Sequence, residues 1–154
     1  MFRLLVLICC LQLWSCQKAT EKYVVASFGK VNWFQAHQIC HRSDMILATV
    51  TSYEQHVQVI RSIALDGHLL GYEGFWLGAS NLADLKSWTW LGLGIPLGYK
   101  RWANDEPQSD LIGKEGCMVL GLDTSWYSVD CRSEYYFICE RQCNSTKSLE
   151  PLYI

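Results

Sequence analysis

The chain has 154 residues, of which 50% are hydrophobic and 18% are charged, and its formal net charge is −2. These values exclude a disordered chain and a broad basic surface for nucleic acid or for an acidic membrane, and they predict one packed domain. Eight cysteines, together with seven Trp and eight Tyr, indicate an oxidising, extracellular compartment.

The first 15 residues have the layout of a secretory signal peptide. A basic start at Arg3 precedes an apolar run over 4–14, and polar residues follow from Ser15. At about 1.5 Å per residue this run reaches only about half of a bilayer core, so we expect no membrane span. We predict a secreted protein with a signal peptide over 1–15; cleavage after Ala19 is the alternative.

The next segments predict a strand and a first helix. Residues 23–25 form a short apolar strand, bounded by Ser27 and Gly29. Asn32 is a good N-cap for the helix that follows. The predicted buried face of this helix consists of Trp33, Ala36 and Cys40.

A second helix is predicted after residues 46–50, which form a short strand or an extended connector. Ser52 and Gln55 have the spacing of a capping box, and residues 66–67 end the helix. Its predicted apolar face consists of Val59, Ile60, Ile63 and Ala64.

The second half of the chain predicts short strands. Turns are predicted over 91–99, and a loose tail over 141–154. The predicted strands are 75–78, 88–90, 118–120, 125–127 and 135–139. Helices early and strands late predict the α+β class.

Several short motifs follow one another in an order typical of a known family. They lie at 33–40, 47–50, 75–79, 102, 106–108, 115–117, 126 and 137–140. Together they resemble the C-type lectin-like domain, in the style of the single-domain secreted lectins of insects. The resemblance covers residues 23–140. It implies two helices packed on small antiparallel sheets with a long loop region, and the disulfides Cys40–Cys139 and Cys117–Cys131.

The resemblance also implies a ligand site. In sugar-binding members, a calcium ion bridges the protein and two sugar hydroxyls, and it is held by Glu-Pro-Asn, a Glu two residues before a cysteine, and Trp-Asn-Asp. Here Glu106, Gln108 and Glu115 match or approach three of those ligands, whereas Tyr127 and Ser128 replace the Asn and Asp. Because ligand number and charge set calcium affinity, we expect weak calcium binding or none.

The implied function is recognition of glycans or glycoproteins, with a preference for mannose-type sugars from the Glu-Pro order and microbial surfaces as a target. The alternative is a calcium-independent module that binds a protein and no sugar. A third interpretation is a subunit of a disulfide-linked dimer. No phosphate loop, Gly-x-Ser-x-Gly or Cys-x-x-Cys motif occurs, so we predict no enzymatic activity.

Simpler roles are open for several of these side chains. Glu106 and Glu115 are alternatively solvated loop acids. Trp88 and Tyr127 are the aromatic residues that we expect to be exposed and to stack on a ligand. Packing in the core and the loops is the expected role of Trp76, Trp90 and Trp102.

Three further features concern metals and modification. His37 and His41 have the spacing of a zinc pair on a helix, but a pair on the helix surface is the simpler interpretation. Asn144 lies in a glycosylation sequon. Cys143 is expected to bridge to Cys16, or to a second chain if cleavage removes Cys16.

Overall fold

The computed structural model describes residues 21–66, 74–107 and 116–142, which contain two helices and eight strands. In chain order the elements are β1 (Tyr23–Val31), α1 (Trp33–Arg42), β2 (Met45–Leu47), α2 (Tyr53–Leu65), β3 (Phe75–Ser80), β4 (Thr89–Trp90), β5 (Ile95–Pro96), β6 (Cys117–Leu120), β7 (Trp126–Val129) and β8 (Tyr135–Arg141). The α+β class is confirmed. β8 continues to Arg141, one residue beyond the boundary expected from the resemblance.

Helix α1 begins as its sequence predicts. The Asn32 side chain accepts a hydrogen bond from the Gln35 backbone N–H at 2.9 Å, and the Gln35 side chain accepts one from the Asn32 N–H at 3.2 Å. This complete capping box satisfies two N–H groups that the first turn leaves unpaired. The predicted buried face, Trp33, Ala36 and Cys40, is confirmed.

Helix α2 differs from its prediction in two ways. The Ser52 side chain does accept from the Gln55 N–H, but the Gln55 amide oxygen bonds to Thr51, not to Ser52. The Gln55 oxygen bonds to Thr51 because Thr51 offers two donors, its N–H and its hydroxyl. The predicted burial of Ala64 is wrong: Ala64 is exposed, and the buried residues are His56, Val59 and Ser62.

The eight strands join in one sheet. Its main order is β1-β8-β3-β4-β5, with β2 paired to β8, and β6 paired to both β3 and β7. All pairs are antiparallel except β3 with β8. β1 runs past the predicted boundary at Ser27 and Gly29, because a register shift between Ala26 and Val31 absorbs these residues and pairing resumes at Val31 with Tyr135.

Two buried clusters form the core. One contains Leu77, Trp90 and Trp126, and the other contains Trp33 and Trp76. The two buried indoles of the second cluster are hydrogen-bonded: Trp33 Nε1 donates to the Leu77 carbonyl at 2.9 Å, and Trp76 Nε1 donates to the Val31 carbonyl at 2.8 Å. Within the described residues, the buried Nε1 atoms of Trp90 and Trp126 have no such partner. Both implied disulfides are confirmed. Cys40–Cys139 joins α1 to β8, and Cys117–Cys131 joins β6 to the β7–β8 turn.

The two ends of the described domain lie side by side. Tyr23 pairs with Glu140, and the Arg141 N–H donates to the Lys22 carbonyl at 2.9 Å. The buried Glu140 carboxylate accepts from the Thr49 N–H at 2.8 Å and lies 3.1 Å from the Lys22 ammonium. Burial, and secondarily the charge of Glu140, raises the pKa of Tyr23, so its phenol stays a neutral donor to the Thr49 carbonyl.

Candidate functional site

A parallel backbone ladder positions Glu106 beside β7. The Trp126 N–H donates to the Arg101 carbonyl at 2.8 Å, and the Ala103 N–H donates to the Trp126 carbonyl at 3.0 Å. The chain then turns, with the Glu106 N–H donating to the Ala103 carbonyl at 3.2 Å. Because Ser128 lies two residues further along β7, this turn brings the Glu106 carboxylate onto it.

Glu106 and Ser128 make a direct contact that organises the site. Both the backbone N–H of Ser128, at 2.9 Å, and its hydroxyl, at 2.5 Å, donate to Oε2 of Glu106. Ser128 is only 2% exposed, and Glu106 is partly buried. Glu106 is therefore a structured acid, not a freely solvated one. Its peptide bond to Pro107 is cis.

Tyr127, the neighbour of Ser128, is tied to its own turn. Its hydroxyl donates to Asp123 at 2.8 Å, and Asp123 also accepts from the Ser125 N–H at 3.1 Å. The hydrogen bond to Asp123 raises the pKa of Tyr127. Slight burial would raise the pKa of Asp123, but the bonds from Tyr127 and Ser125 outweigh it and lower that pKa. Asp123 is thus a stable carboxylate that holds the tyrosine in place.

Aromatic rings form the floor of the loop region. Trp88 is half-buried and meets Trp102 edge to face at 4.9 Å, and Trp102 meets Trp126 at 6.1 Å. A Cβ added at Gly116 would lie 3.2 Å from the Trp88 ring, so the backbone there passes close over the indole. Trp88 and Tyr127 both keep part of their rings exposed, and their role in stacking on a ligand stays a prediction.

One buried residue beneath this floor was not predicted from the sequence. His56 on α2 is 2% exposed, with its ring 6.2 Å from both Tyr99 and Trp126. Within the described residues neither ring nitrogen has a well-oriented hydrogen-bond partner. Burial, and then the charge of Arg101, lowers the pKa of His56, against a smaller opposing effect of the Thr124 backbone. Its spacing of three from Val59 was the signal that places it on the buried face.

The described residues do not by themselves fit a calcium ion. Calcium takes six to eight oxygen ligands, and Glu106 is the only one of the three predicted ligands within the described residues. In that part of the chain, no group of three His, Cys, Asp or Glu side chains could hold a metal ion. Gln108 and Glu115 lie outside it, as do the predicted signal peptide, Cys16, Cys143 and Asn144.

Comparison with known proteins agrees with this architecture. The family model for the lectin C-type domain matches residues 29–141. The chain is 35% identical over 127 residues to C-type lectin mosGCTL-7 of Culex quinquefasciatus, covering 77% of this chain and 72% of that protein. It is 32% identical over 117 residues to salivary C-type lectin 1 of Aedes albopictus, covering 71% and 76%.

Solved structures show the same fold. The carbohydrate-recognition domain of the mouse scavenger receptor C-type lectin is 25% identical, with a TM-score of 0.63, covering 81% of this chain and 94% of that one. Human lithostathine is 21% identical, with a TM-score of 0.70, covering 81% and 87%. Among the described residues, no helix is both long enough and apolar enough to cross a membrane.

Proposed function

The chain belongs to the C-type lectin domain family, and from that premise we propose that it is a secreted protein that recognises glycans. The glycan would bind at the loop face, which is the surface that carries Glu106 and Ser128, with weak calcium dependence or none. The recognising domain spans 23–140, behind a signal peptide over 1–15. Its site residues are Glu106, Gln108, Glu115, Tyr127 and Ser128.

The observation that carries the proposal is the contact between Glu106 and Ser128. The family motif has an Asp at position 128, whose carboxylate would share a cation with Glu106. Here Ser128 is instead a neutral donor, and its N–H and hydroxyl both satisfy Oε2 of Glu106. A site that loses one carboxylate loses calcium affinity, and a hydrogen bond takes over part of the role of the ion in holding Glu106.

The names of similar proteins support a glycan as the ligand and secretion of the protein. One bears the name salivary C-type lectin, and one solved neighbour is described as a carbohydrate-recognition domain. The order Glu106-Pro107 favours mannose-type sugars. Because single shallow sugar sites bind weakly, avidity would matter, and a disulfide dimer through Cys143 would supply two sites.

The alternative is a calcium-independent module that binds a protein and no sugar. The bond between Tyr127 and Asp123 favours it, because it replaces the side-chain amide of the family motif with a fixed, partly exposed aromatic ring. Aromatic rings of this kind are common in protein interfaces.

Thermal unfolding of the secreted protein with EDTA and then with calcium tests the calcium proposal. The wild type should change its Tm by less than about 2 °C in ~10 mM calcium, because a ligand stabilises only by RT ln(1 + [L]/Kd). Ser128→Asp should unfold several degrees lower in EDTA, since two carboxylates then meet, and calcium should restore most of that loss.

A matched control is Ser133→Asp, whose backbone N–H bonds to the Asp130 carbonyl instead of to the site. It should gain no calcium response. A wild-type rise of many degrees in calcium would contradict the proposal of a weakened site.

A glycan array separates the two candidate functions. Binding to mannose-type glycans that survives EDTA supports a calcium-independent lectin. If no glycan binds with or without calcium, while the protein is folded, the protein-binding alternative replaces the lectin.

A further inference from the structure

The hairpin of β4 and β5 ends in an exposed apolar tip. Leu91 and Leu93 lie in its turn and Ile95 lies in β5, and their exposed fractions are 47%, 39% and 42%. These three residues, called here the apolar tip, supply a third of the large hydrophobic side chains that are exposed in the described residues. A single exposed leucine needs no explanation, but three large apolar side chains exposed over 91–95 indicate an interaction surface.

The hairpin is anchored, so the tip is presented rigidly. Trp90, which precedes the turn, is fully buried, and its carbonyl accepts from the N–H groups of Leu93 and Gly94 at 3.1 and 2.9 Å. Gly92 packs on the side chain of Ile46, since a Cβ added there would lie 2.9 Å from Cδ1 of Ile46. With its base in the core and one side on β2, the tip cannot fold back to bury its leucines.

The segment that carries the hairpin is basic although the chain is acidic overall, and the nearest acids in sequence, Asp84 and Asp105, lie just outside it. Residues 85–104 contain no Asp or Glu and include Lys86, Lys100 and Arg101, whereas the whole chain has a net charge of −2. All three cations are exposed. Lys86 and Lys100 flank the base of the hairpin, because its two strands pair between them.

We propose that the apolar tip docks on an anionic lipid bilayer, with its three side chains in the interface and the flanking cations against the headgroups. Apolar side chains beside lysine and arginine are the combination that binds anionic membrane surfaces. A stable protein partner is less suited, because each side of such an interface buries roughly 800 Å², more than three partly exposed side chains supply. This activity is separate from the glycan site.

Co-sedimentation with vesicles tests the proposal. The full secreted protein is mixed, in EDTA and low salt, with vesicles of phosphatidylcholine alone or with 30% phosphatidylglycerol, neither carrying a glycan. The two kinds of vesicle differ only in the negative charge that phosphatidylglycerol adds. We expect binding to the anionic vesicles only, at least tenfold weaker in high salt because the charges are screened.

Leu91→Ser/Leu93→Ser should weaken this binding at least fivefold, and Lys86→Gln/Lys100→Gln should remove the preference for anionic vesicles. Leu122→Ser is the matched control, because Leu122 is 45% exposed but lies outside the hairpin; it should bind as the wild type does. Near-ultraviolet circular dichroism checks that each variant is folded.

Three outcomes would overturn the proposal: no binding of the wild type to anionic vesicles, unchanged binding of the folded leucine variant, or an equal loss in Leu122→Ser. If the wild type ignores vesicles but forms dimers that the leucine substitutions abolish, the tip is a protein interface instead.

Discussion

At the residue scale, His56 is unusual because it is a titratable side chain buried under the aromatic floor of the site. Its pKa is lowered in the folded protein, so the unfolded chain binds a proton more readily. Stability is therefore fully present above the ordinary histidine pKa of about 6.5, and it falls as the pH drops below that value towards the folded-state pKa.

We predict that the Tm falls by a few degrees between pH 7.5 and pH 5.5. In His56→Phe this decrease in Tm should be clearly smaller, because the buried histidine no longer takes up a proton on unfolding. His37, whose pKa burial and His41 also lower, contributes in the same direction. The control is thus His56→Phe/His37→Phe, which should flatten the profile further. A His56→Phe profile parallel to that of the wild type would refute this role of His56.

Single residues of the site were only partly accessible from sequence. Glu106 and Ser128 are 22 positions apart, and no local pattern says that they touch; the family resemblance brought them to one site. It did not reveal that Ser128 donates twice to one oxygen. The buried position of His56 was readable from helical spacing, but a histidine carries no hydrophobic signal.

At the scale of elements, the backbones of β3 and β2 approach each other closely at Gly78. The position of Gly78 has no room for a side chain, because an added Cβ would lie 2.7 Å from the Leu47 carbonyl oxygen. The Gly78 N–H also donates to the Ala48 carbonyl at 2.9 Å, which fixes this approach. The backbone, unlike the end of a flexible side chain, cannot move away cheaply.

We therefore predict that Gly78→Ala lowers the free energy of unfolding by about 1–3 kcal/mol, the usual cost of overpacking. Gly29→Ala is the matched control within a strand, because nothing lies within 4 Å of the Cβ it would add. It should be neutral or slightly stabilising. Urea unfolding of the two variants measures the difference, and equal stabilities would contradict this account of Gly78.

Elements with a strong local signal were predicted well, and those set by distant partners were not. The spacing of Trp33, Ala36 and Cys40 was sufficient for α1, since its buried face repeats with the helical period. The extension of β1 was missed because Ser27 and Gly29 signal a boundary locally. Pairing of Val31 with Tyr135 on β8 overrides that signal, and the sequence separation hides it.

At the scale of the whole molecule, two disulfides close loops of very different length. Cys40 and Cys139 are 99 positions apart, and Cys117 and Cys131 are 14 apart. In the chain-entropy model these closures stabilise the fold by about 4–5 and about 3 kcal/mol. The sheet order itself, with β3 beside β8, had no signature in the local sequence.

We predict that Cys40→Ala/Cys139→Ala lowers the free energy of unfolding more than Cys117→Ala/Cys131→Ala does, by about 1–2 kcal/mol. Urea unfolding of both double variants tests the order. The reverse order would mean that local constraint of the loop face, and not chain entropy, dominates.

The adjacent ends of β1 and β8 determine how the domain would respond to a pull. Tension applied between Lys22 and Arg141 acts along the hydrogen bonds that join the two strands, so the bonds would break one after another, as in a zipper. This separation of the strands would stop at Cys40, because the Cys40–Cys139 bond then transmits the tension directly. The residues between these two cysteines would carry none of it. The loop face with Glu106 and Ser128 lies between those two cysteines in sequence, so the disulfide would keep the tension off it while a tethered molecule is under strain.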